Sequence, residues 1–396
     1  MSVPALAAVR RSAISWIVRS GLRYCLAVWL LQRLVVQAVA VIVVAIVGGP
    51  AYAPDGFFGV LYRWDSGYFA CIATYGYLGQ PCDGGSGIER IAFFPLYPML
   101  AHAVAWVVSL GAMGAASIAF ALWLVSAVAS AVATVGVYRV AQLELGASAA
   151  RRATALFVCS PYAVFLVASY SESLYLAAAV WAWYACLRRQ HWLTGVLGIV
   201  ATATRASGMF LVVALVVLYL VRRRRDGEPV RIVQLAAVAA SALGTLTYWT
   251  WLWLATGDPL AWFHAQSEAW NRRTRWPWET LLNQGIHVLR EPELDWQLQA
   301  AFEVVAAAAL VAAVVVLVRR RAWAPATLVG TTAASLMTST SYLSLARNTL
   351  TLFPLFILLA DLTRGRHRRW FWILLWTGSA LLLLHTVQLA LGNWAD

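Results

Sequence analysis

Long apolar runs separated by short arginine-rich connections limit the fold of this chain more than any other feature. Runs of about this length, with few charges, satisfy their backbone hydrogen bonds within a bilayer by forming helices. Only 12% of the residues are charged, against about 25% in a soluble domain. The chain is therefore predicted to be an all-α polytopic membrane protein, with residues 1–396 forming a single integral membrane domain.

The hydrophobic pattern predicts about 11 transmembrane helices, several of them shorter than the roughly 20 residues of a full crossing. The candidate spans lie at about 24–47, 115–138, 153–170, 173–187, 192–206, 207–221, 230–255, 299–318, 324–342, 347–361 and 370–391. Every second connection is rich in arginine, namely 10–23, 139–152, 188–191, 222–231, 319–321 and 364–369. By the positive-inside rule these connections are expected in the cytoplasm.

This orientation places residues 1–23 inside and the C-terminus outside. It also predicts two extracytoplasmic loops, at 48–114 and 256–298. The apolar stretch 92–112 would reverse the alternation if it crossed the membrane. Its prolines and aromatic residues suit the outer interface instead.

The net charge of +13 follows from the basic inner surface, so no nucleic-acid partner is expected. The basic residues are all arginine, and together with many Ala, Val and Trp residues this composition suggests a bacterial plasma membrane protein. The five cysteines lack the close spacing of a metal site. Cys71 and Cys82 share the first outer loop, and the sequence is compatible either with a disulfide between them or with two free thiols.

The first outer loop contains the segment Arg63-Trp64-Asp65-Ser66-Gly67-Tyr68-Phe69, in which Asp65 is the outstanding carboxylate. Asp65 either caps a short helix or pairs with Arg63, or it serves as a general base. A base of this kind removes the proton of an acceptor hydroxyl as that oxygen attacks an anomeric carbon. A phosphate leaving group is already a stable anion, so the reaction needs no second carboxylate as acid.

Three more ionisable residues are predicted at the outer mouth of the membrane. Glu172 follows Tyr170 between two closely connected spans, Arg205 lies between two short spans, and Arg347 begins the tenth span. Two arginines at this depth suit an anionic headgroup, because guanidinium binds phosphate with two hydrogen bonds. The alternative is a structural ion pair between Glu172 and either arginine.

The other polar residues point less clearly to a site. The isolated histidines are typical of surface or packing positions. No cofactor is expected. A divalent metal is not expected either, although Asp65 could bind one together with Glu89 or Asp83.

Several strings in order resemble the PIG-V family of glycosylphosphatidylinositol mannosyltransferases and its bacterial relatives. They are RWDSGYF, IATYGY, AFFPLYP, SPYAVFLVASYSESLY and ATATRASG, within about 60–210, with weaker matches near Gln266 to Trp270 and around Arg347. The resemblance implies a GT-C-type glycosyltransferase that uses a polyprenyl-phosphate-linked mannose on the non-cytoplasmic face. It implies a catalytic role for Asp65 and a role at the donor phosphate for Glu172 and Arg205, and Arg347 is expected to join them.

An inverting transfer to a glycolipid, glycan or protein acceptor is expected, with membrane lipids around the donor tail. The expected substrate-binding residues are Arg63, Trp64, Tyr68, Tyr170, Gln266 and Trp270. Another polyprenyl-phosphate sugar, such as glucose or arabinofuranose, is an alternative donor. A lipid-linked sugar transporter is the alternative from another class, although transporters are expected to carry polar residues near the midplane or paired repeats.

Overall fold

The computed structural model describes residues 3–49, 56–79, 87–291 and 293–393. Within these ranges the regular structure is helical, apart from one isolated antiparallel bridge between Thr274 and Ser339. The predicted all-α class is therefore confirmed for the described part of the chain. The helices are α1 (Val3–Val47), α2 (Asp65–Tyr75), α3 (Leu96–Val108), α4 (Ala115–Leu145), α5 (Ala147–Val158), α6 (Glu172–Leu187), α7 (His191–Thr202), α8 (Gly208–Arg225), α9 (Ile232–Ala239), α10 (Leu243–Thr256), α11 (Ala261–Glu268), α12 (Pro277–Arg290), α13 (Leu294–Arg319), α14 (Trp323–Met337), α15 (Leu345–Asn348), α16 (Pro354–Leu362) and α17 (Arg368–Leu391).

Among the described residues, five helical segments are long and apolar enough to cross a membrane. They are Gly21–Val47, Ala115–Leu145, Ile232–Thr256, Trp296–Arg319 and Gly365–Leu391. The pair α15 and α16 would make a sixth, although its two parts are bent by 82°. The predicted count of eleven is therefore not confirmed, while the multi-pass helical character is.

The predicted span 153–170 is wrong as a single helix. Helix α5 ends at Val158, and a turn with a short 3₁₀ segment (Ala163–Leu166) follows. Pro161 explains the break, because proline has no backbone N–H and disfavours helix at the preceding residue. The predicted span 347–361 is interrupted in the same way, just before Pro354.

The centre of the bundle contains helices too short to meet the length criterion for a span. Helix α6 has 16 residues, most of them buried, and it packs against α4 and α7. Small residues allow this close approach. A Cβ added to Gly136 of α4 would lie 2.8 Å from the Val180 side chain of α6. At the contact between α7 and α9, a Cβ added to Gly195 would lie 2.2 Å from the carbonyl oxygen of Ala237.

The segments around the candidate site are short helices from the two predicted outer loops. Helix α3 covers most of the stretch 92–112, and its 13 residues are too few to cross a bilayer. In the second loop, α12 exposes apolar side chains along one side, among them Trp278, Leu282 and Leu289. An amphipathic helix of this kind suits the membrane interface.

Candidate active site

A cavity of about 430 Å³ lies between the two predicted outer loops and the ends of α8 and α14. Asp65, Arg205 and Arg347 line its charged end, next to Ser171. An aromatic wall comes from the segment 92–94 and from α10 and α11, and an aliphatic wall comes from α8 and α14. The aromatic wall consists of Phe93, Phe94, Trp249, Trp262, Phe263 and Trp270, and the aliphatic wall includes Met209 and Leu336.

The charged end is a buried network of two carboxylates and two guanidinium groups. Arg347 reaches both carboxylates, with Nη2 at 2.9 Å from Asp65 Oδ2 and at 2.5 Å from Glu172 Oε1. Its Nε also donates to Glu172 Oε1 at 2.7 Å. Arg205 Nη1 lies 2.7 Å from the same Glu172 oxygen and donates to Ser171 Oγ at 3.2 Å. The four formal charges cancel.

Burial and charge act in opposite directions on Glu172, whose side chain is 0% exposed. Burial raises the pKa of this carboxyl, but Arg205 and Arg347 more than offset it, so the pKa lies below the usual range of a glutamate. Glu172 is therefore ionised at neutral pH. Its position as the first residue of α6 adds the favourable end of the helix dipole.

Aromatic rings enclose the Arg347 guanidinium within the network. Its Cζ lies 4.4 Å from the ring centroid of Phe165 and 4.7 Å from that of Tyr170. Such contacts favour a desolvated cation. The Tyr170 hydroxyl donates to the Arg63 carbonyl oxygen at 2.9 Å, which fixes the ring beside the segment that carries Asp65.

Unusual backbone angles precede both Asp65 and the helix of Arg347. Trp64 has a φ of 48° directly before Asp65, and Ser344 has a φ of 64° directly before α15. Positive φ is rare for residues other than glycine and is kept only where the surrounding structure imposes it. Ser66 helps to hold the conformation at Trp64, because the Ser66 hydroxyl donates to the Ser169 carbonyl oxygen.

Glu303 of α13 was not among the predicted site residues. Its Oε2 accepts a hydrogen bond of 2.7 Å from the backbone N–H of Ala346, the neighbour of Arg347, and the residue is only 2% exposed. The carboxylate therefore holds the short helix that delivers Arg347. The available signal was an ionisable residue inside the predicted span 299–318, which is costly in a membrane and marks a functional position.

The predicted substrate-binding residues divide into two groups. Gln266 and Trp270 line the cavity, and Tyr68 lies behind the wall, stacked on Phe93 at 4.9 Å with its edge toward Trp270 at 5.5 Å. Arg272 also lines the cavity, although the sequence analysis did not single it out.

Arg63, Trp64 and Tyr170 do not line the cavity. Arg63 is buried and donates to carbonyl oxygens, including that of Ala390 at 2.8 Å. The Trp64 indole donates to the Asn393 carbonyl oxygen at 3.2 Å. The partner that the structure gives Asp65 is therefore Arg347, not the neighbouring Arg63 that the sequence left open.

Within the part of the chain that the structure describes, no group of three or more His, Cys, Asp or Glu side chains is placed to hold a metal ion. Asp83 and Cys82, which entered the metal and disulfide expectations, lie outside the described residues. Cys71 is disulfide-bonded. The free thiols among the described residues are Cys25, Cys159 and Cys186.

The solved structures to which this chain is similar include two of an archaeal protein. The apo oligosaccharyltransferase of Archaeoglobus fulgidus has a TM-score of 0.46 and 10% identity, and the match covers 94% of this chain and 56% of that one. The oligosaccharyltransferase AglB of the same organism, in complex with an inhibitory peptide and a dolichol-phosphate, has a TM-score of 0.40 and 11% identity over 92% of this chain and 56% of that chain.

Sequence comparison identifies relatives that match part of this chain. GPI alpha-1,6-mannosyltransferase 2 of Cricetulus griseus is 31% identical over 163 residues, which is 39% of this chain and 31% of the relative. The Mus musculus protein of the same name is 29% identical over 163 residues, with the same shares. The matched region thus spans about a third of these relatives.

The family model described as mannosyltransferase (PIG-V) matches residues 39–224. This range includes Asp65, Glu172 and Arg205, whereas Arg347, Gln266 and Trp270 lie beyond it. The resemblance noted in the sequence is thereby confirmed: residues 39–224 are similar to the PIG-V mannosyltransferases.

Proposed function

We propose that the protein is a membrane mannosyltransferase that takes mannose from a polyprenyl-phosphate donor and transfers it with inversion to an acceptor hydroxyl. The observation that carries the proposal is the buried network of Asp65, Glu172, Arg205 and Arg347 at the charged end of the cavity. Three of its members lie in the segment related to mannosyltransferases. The fourth supplies the cation nearest to Asp65.

Arg205 and Arg347 would hold the donor phosphate. The Arg205 side chain is 18% exposed and that of Arg347 is 7% exposed, so Arg205 is the more accessible of the two. Guanidinium suits this task because its donors match the spacing of phosphate oxygens. The aliphatic wall of α8 and α14 offers an apolar surface to the polyprenyl chain.

The transfer itself needs one proton acceptor. The acceptor oxygen attacks the anomeric carbon and loses its proton to the Asp65 carboxylate, while the bond from that carbon to the phosphate oxygen breaks. The electron pair of this bond leaves with polyprenyl phosphate. A positioned general base of this kind contributes about 10²–10⁴ to the rate.

Donor binding would also release the base. In the free protein Asp65 Oδ2 accepts a hydrogen bond from Arg347, and this contact competes with proton transfer. A donor phosphate that engages Arg347 replaces the carboxylate as its partner. Asp65 is then free to approach the acceptor hydroxyl only when donor is bound. In the absence of donor, the contact with Arg347 would keep Asp65 from removing the acceptor proton.

The aromatic wall suits a carbohydrate on the acceptor side. Tryptophan rings offer a flat apolar face to sugar C–H groups, and Gln266 adds an amide at the same wall. The identity of the donor sugar rests on the mannosyltransferase relatives. Glucose and arabinofuranose donors would use the same base and the same arginines, and a glycolipid, glycan or protein would supply the acceptor hydroxyl.

A donor panel with one arginine variant tests this function. Purified protein in lipid nanodiscs is offered labelled polyprenyl-phosphate mannose, glucose or arabinofuranose with a membrane-lipid extract, and transfer is expected from the mannose donor. Arg205→Ala should weaken donor binding about 10- to 100-fold, as expected for a lost hydrogen bond between charged groups. Arg275→Ala removes the same charge from an exposed position outside the cavity and should bind donor normally.

Two results would contradict the proposal. One is donor affinity that is equal in Arg205→Ala and the wild type, since the arginine would then not touch the phosphate. The other is the absence of transfer from all three donors when each is bound and the lipid extract contains the natural acceptor.

A further inference from the structure

A second cavity lies at the opposite, arginine-rich end of the bundle. It has a volume of about 550 Å³ and lies where the end of α13, the end of α16 and the start of α17 meet. Its charged lining residues are Arg320, Asp361 and Arg364, beside His367. This end of the helices is predicted to face the cytoplasm, away from the candidate active site.

The charges around this cavity are unbalanced. Arg320 Nη1 lies 2.5 Å from Asp361 Oδ2, and Arg364 Nε lies 3.2 Å from Asp361 Oδ1. Among the described residues that line the cavity, Asp361 is the one carboxylate. A single negative charge thus faces two guanidinium groups.

Two further arginines add to the excess. Arg152 of α5 interacts electrostatically with Arg364, Arg368 and Asp361. Burial, together with the positive charges of Arg364 and Arg368, lowers the pKa of the Arg152 guanidinium. Its Nε is buried and has no hydrogen-bond acceptor among the described residues. Arg152 and Arg368 therefore add positive charge near the two guanidinium groups that pair with Asp361.

An assembly of like charges is unfavourable unless an anion joins it. Helix α17 starts at Arg368, so its N-terminus also directs the positive end of a helix dipole to this region. The anion has to contact several arginines at once, and the oxygens of a phosphodiester can do so.

Most of the remaining lining of the cavity is apolar. Leu359, Leu362 and Leu374 line it, and Trp370 at its edge is 48% exposed. Tryptophan is typical of the level of the lipid headgroups. The cavity thus combines a cationic end with an apolar surface, as an amphiphile requires.

We infer that this cavity binds the phosphate headgroup of an anionic phospholipid from the arginine-rich side of the membrane. Basic pockets between transmembrane helices on that side are suited to anionic headgroups. The lipid phosphate engages Arg320 and Arg364, and its acyl chains lie along the leucines and Trp370. A bound lipid would connect α13, α16 and α17 at this end of the bundle. This inference is independent of the function proposed for the other cavity.

Native mass spectrometry of the protein titrated with phosphatidylglycerol tests the site directly. The double variant Arg320→Gln with Arg364→Gln is compared with the control Arg224→Gln with Arg225→Gln. The control removes the same charge from exposed positions on the same end of the bundle, so both variants lose the general attraction to anionic lipid. The site variant should bind the first phosphatidylglycerol about tenfold more weakly than the control, as expected when hydrogen bonds between charged groups are lost.

Further measurements keep the test decisive. Arg320→Lys retains the charge and should bind phosphatidylglycerol more tightly than Arg320→Gln. Arg320→Gln alone should keep the fold, because the side chain that it changes is 43% exposed. Phosphatidylglycerol should raise the thermal unfolding midpoint in phosphatidylcholine nanodiscs, whereas inorganic phosphate should not. Equal affinity in the site and control variants would overturn the inference, and an equal midpoint shift with inorganic phosphate would assign the site to a soluble anion instead.

Discussion

Replacing Glu172 by glutamine removes the one charge that both donor-binding arginines share. The amide keeps the size and much of the shape of the carboxylate, so the packing around this fully buried side chain is retained. Arg205 and Arg347 then face each other across a neutral group. We expect a loss of stability together with a loss of donor affinity, because the arginines are no longer held in place.

The size of the loss follows from the two ion pairs of Glu172. At about 4 Å between charge centres and an effective dielectric constant of about 20, each pair contributes roughly 4 kcal/mol. Removing the carboxylate also returns several kcal/mol of desolvation penalty. The net expectation is a destabilisation of about 3–5 kcal/mol, the range observed when one partner of a buried pair is removed.

Thermal unfolding of the purified protein in nanodiscs provides the assay. For a chain of this length, 1 kcal/mol corresponds to roughly 1 °C, so the midpoint should fall by about 3–5 °C. Glu268→Gln makes the same chemical change at an exposed position of α11 and should leave the midpoint unchanged. If Glu172→Gln and Glu268→Gln unfold at the same temperature, the network does not stabilise the fold and the reasoning is refuted.

Three further predictions concern the same network. The pKa of Glu172 is lowered in the folded state, so its contribution to stability is fully present above the usual glutamate pKa of about 4.3 and is lost as the pH falls through the lower folded value. Below a pH of about 4.3 the unfolding temperature of the wild type should therefore fall more steeply with pH than that of Glu172→Gln. Parallel curves of unfolding temperature against pH would contradict this. Arg347→Lys should raise the donor KM at least tenfold, since an ammonium cannot bridge Asp65 and Glu172 with the fixed geometry of a guanidinium, and an unchanged KM in steady-state assays would exclude this role. Glu303→Gln should lower kcat several-fold through misplacement of Arg347 while the exposed control Glu268→Gln does not, and equal kcat values would show that the contact to α15 is not needed.

The sequence was most informative where the chemistry is local. The apolar runs identified the helical membrane class, and the structure brings together the segments around Asp65, Glu172 and Arg205 that the sequence grouped as one candidate site. Their polar side chains stand out because ionisable residues are expensive at the edge of a membrane. The family-matched segment contains all three.

What the sequence did not show depends on distant contacts and on the depth of burial. The pair between Arg347 and Asp65 joins residues 282 positions apart, and no periodicity encodes such a contact. Hydrophobicity alone also counted 153–170 as one span, because an apolar average does not register the break at Pro161. Arg63 was assigned to the substrate from its neighbours, whereas the structure directs its guanidinium to backbone carbonyl groups.

The most direct test of the proposed mechanism is the single-turnover rate of Asp65→Asn, measured with donor affinity in the same preparation. The asparagine retains a hydrogen-bond acceptor for Arg347 but is not a base at neutral pH. If Asp65 is the base, the rate of Asp65→Asn should be lower by about 10²–10⁴, with donor binding unchanged or tighter, and Asp258→Asn, outside the cavity, should have a normal rate. Transfer by Asp65→Asn at a rate close to that of the wild type would contradict the assignment of Asp65 as the base.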